Sequence, residues 1–185
     1  IIKILGEEKD GKIIANKIIK YRSDKLIKSS EEFASIVNDA KKNFNHYKKN
    51  PATKTFQAIR IFVNQELSEL ILGLTAATKI LSDDGLLIVV SFHSLEDKIV
   101  KNFFSLYSNS AKNPSRYLPL NKNKSDLFRL FLKKPLTPDK KEVLQNNSSR
   151  SAKLRYAIRN NNVFYHPKEF QKKFENYFKI EETRL

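Results

Sequence analysis

The first part of the chain has the apolar spacing of helices. Between Gly6 and Tyr21, apolar residues recur every three or four positions and predict one helix, with Glu7 and Glu8 near its N-terminal end. The sequence from Ser29 to Glu32 fits a capping box, so a second short helix is expected after it. The apolar face of that second helix consists of Phe33, Ile36, Val37 and Ala40.

A polar, basic connection over Lys41–Asn50 precedes the strongest helical pattern in the chain. Pro51, with Thr53 or Thr55, is typical of a helix start. The apolar stripe that follows predicts one long helix facing a core, or two coaxial pieces broken near Gly73. Its members are Phe56, Ile59, Val63, Leu67, Leu70, Leu74, Ala77 and Leu81.

A buried strand is predicted next. The turn Ser82–Gly85 leads into Leu86–Val90, which is apolar on both faces, as in a parallel strand covered by helices on both sides. Helical spacing resumes from Leu95 to Leu106, and the order helix, strand, loop, helix indicates an open α/β sheet.

The remaining elements are shorter. After a polar loop at 109–125, Phe128–Leu132 reads as a short strand, and Thr137-Pro138 as a helix cap with a first-turn proline. Lys153–Arg159 alternates as a strand, with Leu154, Tyr156 and Ile158 on one side and Lys153, Arg155 and Arg159 on an exposed basic side. A C-terminal helix is expected within 163–185, packed by Phe170, Phe174 and Phe178.

Composition narrows the class of protein. Apolar residues make up 40% and charged residues 30% of 185 positions, and no apolar run is long enough to span a membrane. No secretory signal is visible, so a cytoplasmic location is expected. The chain has no cysteine, which excludes disulfides and thiolate chemistry, and it has no methionine and begins at Ile1, so we interpret it as a fragment.

The charge is strongly positive and unevenly distributed. The net charge of +15 suggests a polyanionic partner such as RNA, DNA or an acidic membrane surface, although AT-rich coding can produce the same lysine excess. Residues 1–97 hold 15 basic and 13 acidic side chains, whereas residues 98–185 hold 20 and 7. The second half therefore carries the excess.

The loop after the predicted strand is the main candidate for chemistry. Ligands of open α/β sheets bind beyond the carboxyl ends of the strands, where Ser91, His93, Ser94, Glu96 and Asp97 lie. The same residues also suit a helix cap and first turn without any chemical role. A serine-hydrolase elbow is excluded because the loop has no glycine, and the three separated histidines give no support for a metal site.

Two further segments carry basic and hydroxyl side chains. Pro51–Arg60 surrounds a helix N-terminus, which can bind an anion, and Ser148–Arg155 can contact phosphates. Each can equally be a cap or a solvated face. No glycine-rich phosphate or dinucleotide loop is present, since the four glycines are Gly6, Gly11, Gly73 and Gly85.

Together these segments resemble the MraW (RsmH) family of bacterial ribosomal RNA methyltransferases over about Gly6–Arg159. The most specific parts are Pro51–Arg60, followed by Asn64 and Glu66, and Ser91–Lys101. Weaker support comes from Gly6-Glu7-Glu8 and from the sequence Arg150-Ser151-Ala152-Lys153-Leu154-Arg155. The chain departs from the family at Asn50, which usually is histidine, and at Asn147–Ser149, where a proline- and arginine-containing run is typical.

The resemblance implies transfer of a methyl group from S-adenosylmethionine to the N4 amine of a cytidine in the decoding region of 16S rRNA. It implies that the target base is turned out of its stack. The candidates for lining the base pocket are Ser91, His93 and Ser94, with Glu96 and Asp97 as polar support or acceptors. The candidates for RNA contact are Lys54, Thr55, Gln57, Arg60, Arg150, Lys153 and Arg155.

The resemblance also implies a domain plan. Residues 1–50 would belong to a helical inserted region, 51–162 to the last three strands and helices of a class I, Rossmann-like methyltransferase sheet, and 163–185 to a helical extension. The family's cofactor-binding half is missing, so no cofactor binding and no activity are expected of this chain alone. The expected partner is 16S rRNA or the small ribosomal subunit, with a homodimer possible and no membrane. A non-enzymatic basic RNA-binding module is the alternative.

Overall fold

The computed structural model describes residues 1–41, 50–108, 126–166 and 168–183, so most of the two predicted loops at 41–50 and 109–125 lies outside the described residues. Two compact units are present. The first consists of Ile1–Glu66 with Lys179–Leu185, and the second of Leu67–Phe178. Within the described ranges, each helix is too short or too polar to span a lipid bilayer.

The described part of the first unit is helical. A cluster of buried apolar side chains lies in its core, and Ile2, Ile18 and Phe33 pack against this cluster. Its members are Ile14, Val37, Ala40 and Ala52. This core joins the second and third helices to the start of the fourth. The helices are α1 (Ile2–Leu5), α2 (Gly11–Asp24), α3 (Ser30–Ala40) and α4 (Thr53–Asn64).

The predicted first helix is wrong at its N-terminal end. The helix α2 begins at Gly11, so Glu7 and Glu8 lie in the connection between α1 and α2. Glu7 adopts a left-handed backbone conformation with φ 47°, which a helix does not allow. Glu8 is buried, and its carboxylate lies 2.6 Å from the ammonium group of Lys41. A long-range ion pair fixes the position of Glu8, and local spacing cannot reveal such a pair.

The start of α3 largely follows the prediction. The hydroxyl of Ser29 accepts a hydrogen bond from the Glu32 N–H at 3.1 Å, as in a capping box. The Glu32 carboxylate, however, accepts from the backbone N–H of Lys28 at 2.8 Å, one residue earlier than the capping box predicts. It also accepts from the Tyr21 hydroxyl, and these hydrogen bonds lower the Glu32 pKa to about 2.

The long helical stripe was predicted as one helix or as two pieces broken near Gly73, and it is broken at Gln65 instead. The helix α4 ends at Asn64, and α5 (Glu66–Ile80) begins after Gln65, whose φ of 54° and ψ of 36° are left-handed. Gly73 lies inside α5 as an ordinary helical residue. The break is therefore made by a non-glycine residue, which the distribution of glycines cannot indicate.

The apolar stripe is also buried differently along its length. In α4 the buried side chains are Thr55, Ala58 and Ile61, whereas Val63 of the predicted stripe is 52% exposed. Phe56 is partly exposed but packs edge-on against Phe33, with ring centroids 5.2 Å apart. The prediction that this stripe faces a core is therefore wrong for much of α4.

The second unit contains a small sheet and several helices. A phenylalanine cluster forms much of its core, in which the Phe103 ring lies 5.7 Å from that of Phe128 and 5.1 Å from that of Phe170. The elements after α5 are β1 (Leu86–Ser91), α6 (Ser94–Tyr107), β2 (Phe128–Arg129), α7 (Lys140–Gln145), β3 (Lys153–Arg159), α8 (Lys168–Lys173) and α9 (Glu175–Glu182). The end of α9, from Lys179, belongs to the first unit.

The sheet has the strand order β1-β3-β2, and both neighbours of β3 run antiparallel to it. Leu86 pairs with Ile158 and Ser91 pairs with Lys153. Among the described residues β1 is thus a strand as predicted, but it pairs in an antiparallel rather than a parallel ladder. The reason is that its neighbour is not the next strand after α6 but β3, which returns in the opposite direction. Consequently β1 and β2 run parallel to each other on either side of β3.

The buried and the exposed face of this sheet are the reverse of those predicted. Most of the basic side of β3 is turned inward, although Lys153 at its start is 40% exposed. Arg155 is 10% exposed and Arg159 is 5% exposed. The Arg159 guanidinium donates to the backbone carbonyls of Thr78, Leu127, Asn160 and Asn162. The other side of the sheet is the more open one, with Leu86, Ile88 and Val90 about half exposed. An arginine that satisfies carbonyl groups in a core looks the same in sequence as one on a surface.

Two later helices start or end differently from the prediction. The N-cap of α7 is Asp139, whose carboxylate accepts from the Glu142 N–H at 2.7 Å, and not Thr137. The C-terminal helix is two short helices, α8 and α9, that meet at Phe174. Phe170 and Phe174 are buried as predicted.

Candidate functional site

The loop between β1 and α6 is held by a reciprocal cap. The Glu96 carboxylate accepts hydrogen bonds from the backbone N–H groups of Phe92 at 2.7 Å and His93 at 3.2 Å. In return, Nδ1 of His93 accepts from the Glu96 N–H at 3.4 Å, so that His93 is the N-cap of α6. This arrangement is a capping box in which an imidazole replaces the usual hydroxyl. It fixes the path of the chain where the strand becomes a helix.

The five predicted site residues of this loop differ in exposure. The His93 side chain is 10% exposed, with Nε2 3.4 Å from a Glu96 carboxylate oxygen. Ser91 is buried, and its hydroxyl donates to the carbonyl of Lys153 at 3.3 Å. Ser94, at the first position of α6, is exposed. Of the five, Ser94 is therefore the side chain that is best placed to meet a ligand from solution.

Asp97 joins this loop to the second basic segment. Its two carboxylate oxygens accept from Lys153 at 2.8 Å and from Arg155 at 2.7 Å, across more than fifty residues of sequence. Arg155 also donates to the carbonyl of Lys133 at 3.2 Å. Burial by itself would raise the Asp97 pKa, but the hydrogen bonds from Arg155 and Lys153 outweigh it and hold the pKa below its ordinary value. Asp97 is thus an ionised anchor for two cations at neutral pH.

The predicted RNA contacts of the first unit lie along α4. Lys54 is exposed and its ammonium donates to the Glu7 carbonyl at 2.9 Å. Arg60 is also exposed and forms a bidentate ion pair with Glu66, at 2.8 and 2.9 Å. Thr55 is fully buried, and Gln57 is partly exposed. Lys54, Gln57 and Arg60 are accessible from solution, whereas Thr55 belongs to the packed side of the helix.

A buried ion pair supports the start of α4. The Lys41 ammonium, whose side chain is 2% exposed, donates to the Glu8 carboxylate at 2.6 Å and to the Pro51 carbonyl at 2.7 Å. Burial alone would raise the Glu8 pKa, yet the hydrogen bond from Lys41 and further contacts lower it. The sequence pattern placed Lys41 in a loop and did not indicate its ion pair with Glu8. A signal was available, because Lys41 continues the helical spacing of Phe33 and Val37 and is therefore a cation on an apolar face.

These segments agree with a comparison against protein-family models. The model of the MraW methylase family matches residues 1–160, which include both units' candidate segments. The chain belongs to the MraW methylase family. Proteins named ribosomal RNA small subunit methyltransferase H are among its relatives, and the resemblance deduced from the motifs is confirmed.

Three of these relatives define the extent of the likeness. The Wigglesworthia glossinidia brevipalpis protein is 45% identical over 161 residues, which cover 85% of this chain and 51% of the relative. The protein of Sulfurihydrogenibium sp. strain YO3AOP1 is 42% identical over 160 residues, covering 86% and 50%. That of Nitrobacter hamburgensis is 44% identical over 159 residues, covering 86% and 47%. The chain spans about half the length of the curated relatives it matches.

The cations of the second basic segment, Ser148–Arg155, differ in how far they are exposed. Arg150 is exposed at the end of a short 3-10 turn, Asn147–Ser151, and the strand β3 follows directly. Lys153 is 40% exposed and Arg155 is 10% exposed. Within this segment of the MraW methylase chain, Arg150 and Lys153 are open to solution and Arg155 is mainly a partner of Asp97.

Proposed function

We propose that the protein containing this chain transfers a methyl group from S-adenosylmethionine to the N4 amine of a cytidine in the decoding region of 16S rRNA. The observation that carries the proposal is the family match over residues 1–160, with relatives named ribosomal RNA small subunit methyltransferase H. We further propose that β1, β2 and β3 are the last three strands of a Rossmann-like methyltransferase sheet. The order β1-β3-β2, with β3 reversed between two parallel strands, supports this assignment.

S-adenosylmethionine would supply the electrophilic methyl group. The described residues at the carboxyl end of β1 do not fit its binding, because His93 and Glu96 cap α6 and Asp97 is paired with Lys153 and Arg155. Nor does any of the four glycines directly follow a described strand. We therefore propose that the cofactor is held by residues outside this chain, which spans about half the length of the relatives it matches.

The task of this chain is to present the target amine. The lone pair of that amine is delocalised into the cytosine ring, so the rate depends on placing the amine in line with the methyl group and on acceptors that orient its N–H groups. We propose that Ser94 contacts the base and that His93 and Glu96 position the loop through the cap. Ser91 and Asp97 hold the same loop against β3. Ser91 bonds the backbone carbonyl of Lys153, and Asp97 pairs with the side chains of Lys153 and Arg155.

Methyl transfer by the protein at its natural length tests the proposal. Small ribosomal subunits incubated with the protein and methyl-labelled S-adenosylmethionine should acquire N4-methylcytidine at one position, identified by nuclease digestion and mass spectrometry. Ser94→Ala should lower kcat at least about tenfold, the effect of roughly 1.4 kcal/mol of lost transition-state stabilisation. Ser23→Ala, an exposed hydroxyl change in α2, should leave kcat unchanged. Label at another base, or none, would contradict the proposal.

A non-enzymatic basic RNA-binding module is the second candidate. The excess of basic over acidic residues in positions 98–185, 20 against 7, favours it. Tight binding of small-subunit rRNA by the natural-length protein, without methyl transfer in the presence of S-adenosylmethionine, would support this alternative.

A further inference from the structure

One exposed face of α6 is lined by cations and hydroxyls. Ser94, Lys98, Lys101 and Ser105 follow one another at intervals of four, three and four residues, and each is exposed. In a helix this spacing places side chains on one face. The opposite face of α6, which includes Phe103, is buried in the core of the second unit.

A surface pocket lies where this face meets the start of β3. Its volume is about 350 Å³, and each described residue that lines it is polar or charged. Lys98, Lys101 and Lys153 contribute ammonium groups, and Ser94 and Ser105 contribute hydroxyls. Asn102 and Asp97 complete the lining. Such a lining suits an anion, and its described residues include no aromatic side chain on which a base could stack.

The positive charge of the pocket is not neutralised within the described residues. Asp97 is its one carboxylate, and that group is already shared between Lys153 and Arg155. No described carboxylate pairs with Lys98 or Lys101, and the segments that the structure does not describe contain no Asp or Glu. A fourth ammonium group, that of Lys173, donates to the side-chain amide oxygen of Asn102 at the wall of the pocket.

This arrangement costs stability rather than adding to it. Like charges three residues apart on a helix repel each other by about 0.2–0.5 kcal/mol. Clustered ammonium groups around one depression are relieved when an anion binds between them. Because α6 rises about 1.5 Å per residue, Lys98 lies roughly one helical turn from Ser94, within the length of a single nucleotide.

We propose that the pocket lined by Lys98, Lys101 and Lys153 binds a backbone phosphate of the substrate RNA, adjacent to the target nucleotide. The proposal rests on the proposed function for the identity of the polyanion. The Asp97 carboxylate positions Lys153 at the pocket, while Lys98 and Lys101 supply the uncompensated charge. The hydroxyl of Ser105 adds a donor for the phosphate oxygens, while Ser94, at the edge of the pocket, faces the base.

The test compares two double substitutions in the natural-length protein. The first, Lys98→Ala with Lys101→Ala, removes the two uncompensated charges, and the second, Lys140→Ala with Lys141→Ala, removes two exposed charges of α7. Binding of a labelled single-stranded RNA from the decoding region is measured without S-adenosylmethionine over a range of salt concentrations. The first variant should bind at least about tenfold more weakly at 0.1 M salt, with a salt slope smaller by about 0.7 for each lost contact. The second should bind like the wild type.

Thermal unfolding separates binding from folding. The α6 double variant should unfold at the same temperature as the wild type or higher, because it removes the repulsion between the ammonium groups of Lys98 and Lys101. The single substitution Lys98→Gln should behave in the same way. Weakened RNA binding with an unchanged or raised Tm supports phosphate binding at the pocket, whether or not the protein transfers methyl groups. Equal binding by both double variants would overturn it, even if methyl transfer to cytidine N4 is established.

Discussion

At the scale of single residues, the buried pair of Lys41 and Glu8 supports Pro51–Arg60, one of the two segments that carry the most specific family motifs. The Lys41 ammonium holds both the Glu8 carboxylate and the Pro51 carbonyl, and its side chain is 2% exposed. Removing one member of such a pair leaves the other charge buried without compensation. The pair therefore connects the end of α3 to the residues that open α4.

Lys41→Met should strongly destabilise the protein. We expect the free energy of unfolding to fall by about 3–5 kcal/mol, because the Glu8 carboxylate would remain buried without its partner. Chemical denaturation of the natural-length protein measures this change. Lys25→Met removes an exposed partner of Glu32, with the Lys25 side chain 65% exposed, and should leave the transition near that of the wild type. Equal effects of the two substitutions would contradict the importance of the buried pair.

Asp97 should make stability depend on pH in the acid range. Its pKa is lower in the folded than in the unfolded state, so the ionised form stabilises the fold. This contribution is complete above the unfolded pKa of about 3.9 and is lost as the pH falls through the folded pKa.

Asp97→Asn should therefore lower the free energy of unfolding by about 3 kcal/mol at pH 7, because two cations lose their partner. The difference from the wild type should shrink as the pH falls below about 4. Asp83→Asn, at an exposed carboxylate, is the matched control. Urea denaturation at several pH values measures both, and a difference that does not vary with pH would argue against the ion-pair explanation.

Local signals predicted several residues of the site but not their partners. The sequence located the loop Ser91–Asp97 after a strand and noted that it could serve as a cap, which it does through His93 and Glu96. It could not show that Asp97 meets Lys153 and Arg155, because those contacts join residues more than fifty positions apart. For the same reason Arg159 was taken for a surface residue, although it is buried among backbone carbonyls.

At the scale of elements, the helix break at Gln65 shows where local reasoning fails. Glycine is the usual residue at a left-handed position, so Gly73 was the break that the sequence offered beside the alternative of one long helix. In the structure Gln65 has that conformation, and Gly73 is in the middle of α5 with open space around it. Strand existence, in contrast, was predicted well: the bounds of β3 are those read from its alternation, and β1 contains the predicted strand. The direction of pairing was not predictable, because it depends on which strand returns beside β1.

Substituting two glycines by alanine should give effects of opposite sign. Gly73→Ala should raise the free energy of unfolding by about 1 kcal/mol, since alanine is the better helix former and, apart from the adjacent residues and the surrounding helix backbone, no described atom lies within 4 Å of the added methyl group. Gly6→Ala should lower it by about 1–3 kcal/mol, because its methyl group would meet the carbonyl oxygens of Ile2 and Lys54 at 2.6 Å. Thermal or chemical denaturation measures both. A destabilising Gly73→Ala would mean that Gly73 does interrupt the helix.

At the scale of the whole molecule, the chain combines a helical unit with a unit built on three strands. The family match extends across candidate segments of both units, and the chain corresponds to about half of each relative. The residues of the β1–α6 loop and the basic pocket beside it are those we assign to the substrate RNA. The domain boundaries, the homodimer and the source of the cofactor-binding residues remain predictions.

Modification of ribosomal RNA in cells tests the central claim most directly. The natural-length gene would be expressed in a bacterium whose own member of the MraW methylase family has been deleted, and the small-subunit rRNA analysed by nuclease digestion and mass spectrometry. We predict that N4 methylation returns at one cytidine of the decoding region, and that Ser94→Ala reduces it. A protein that is produced in folded form but leaves that cytidine unmodified would contradict the proposed function.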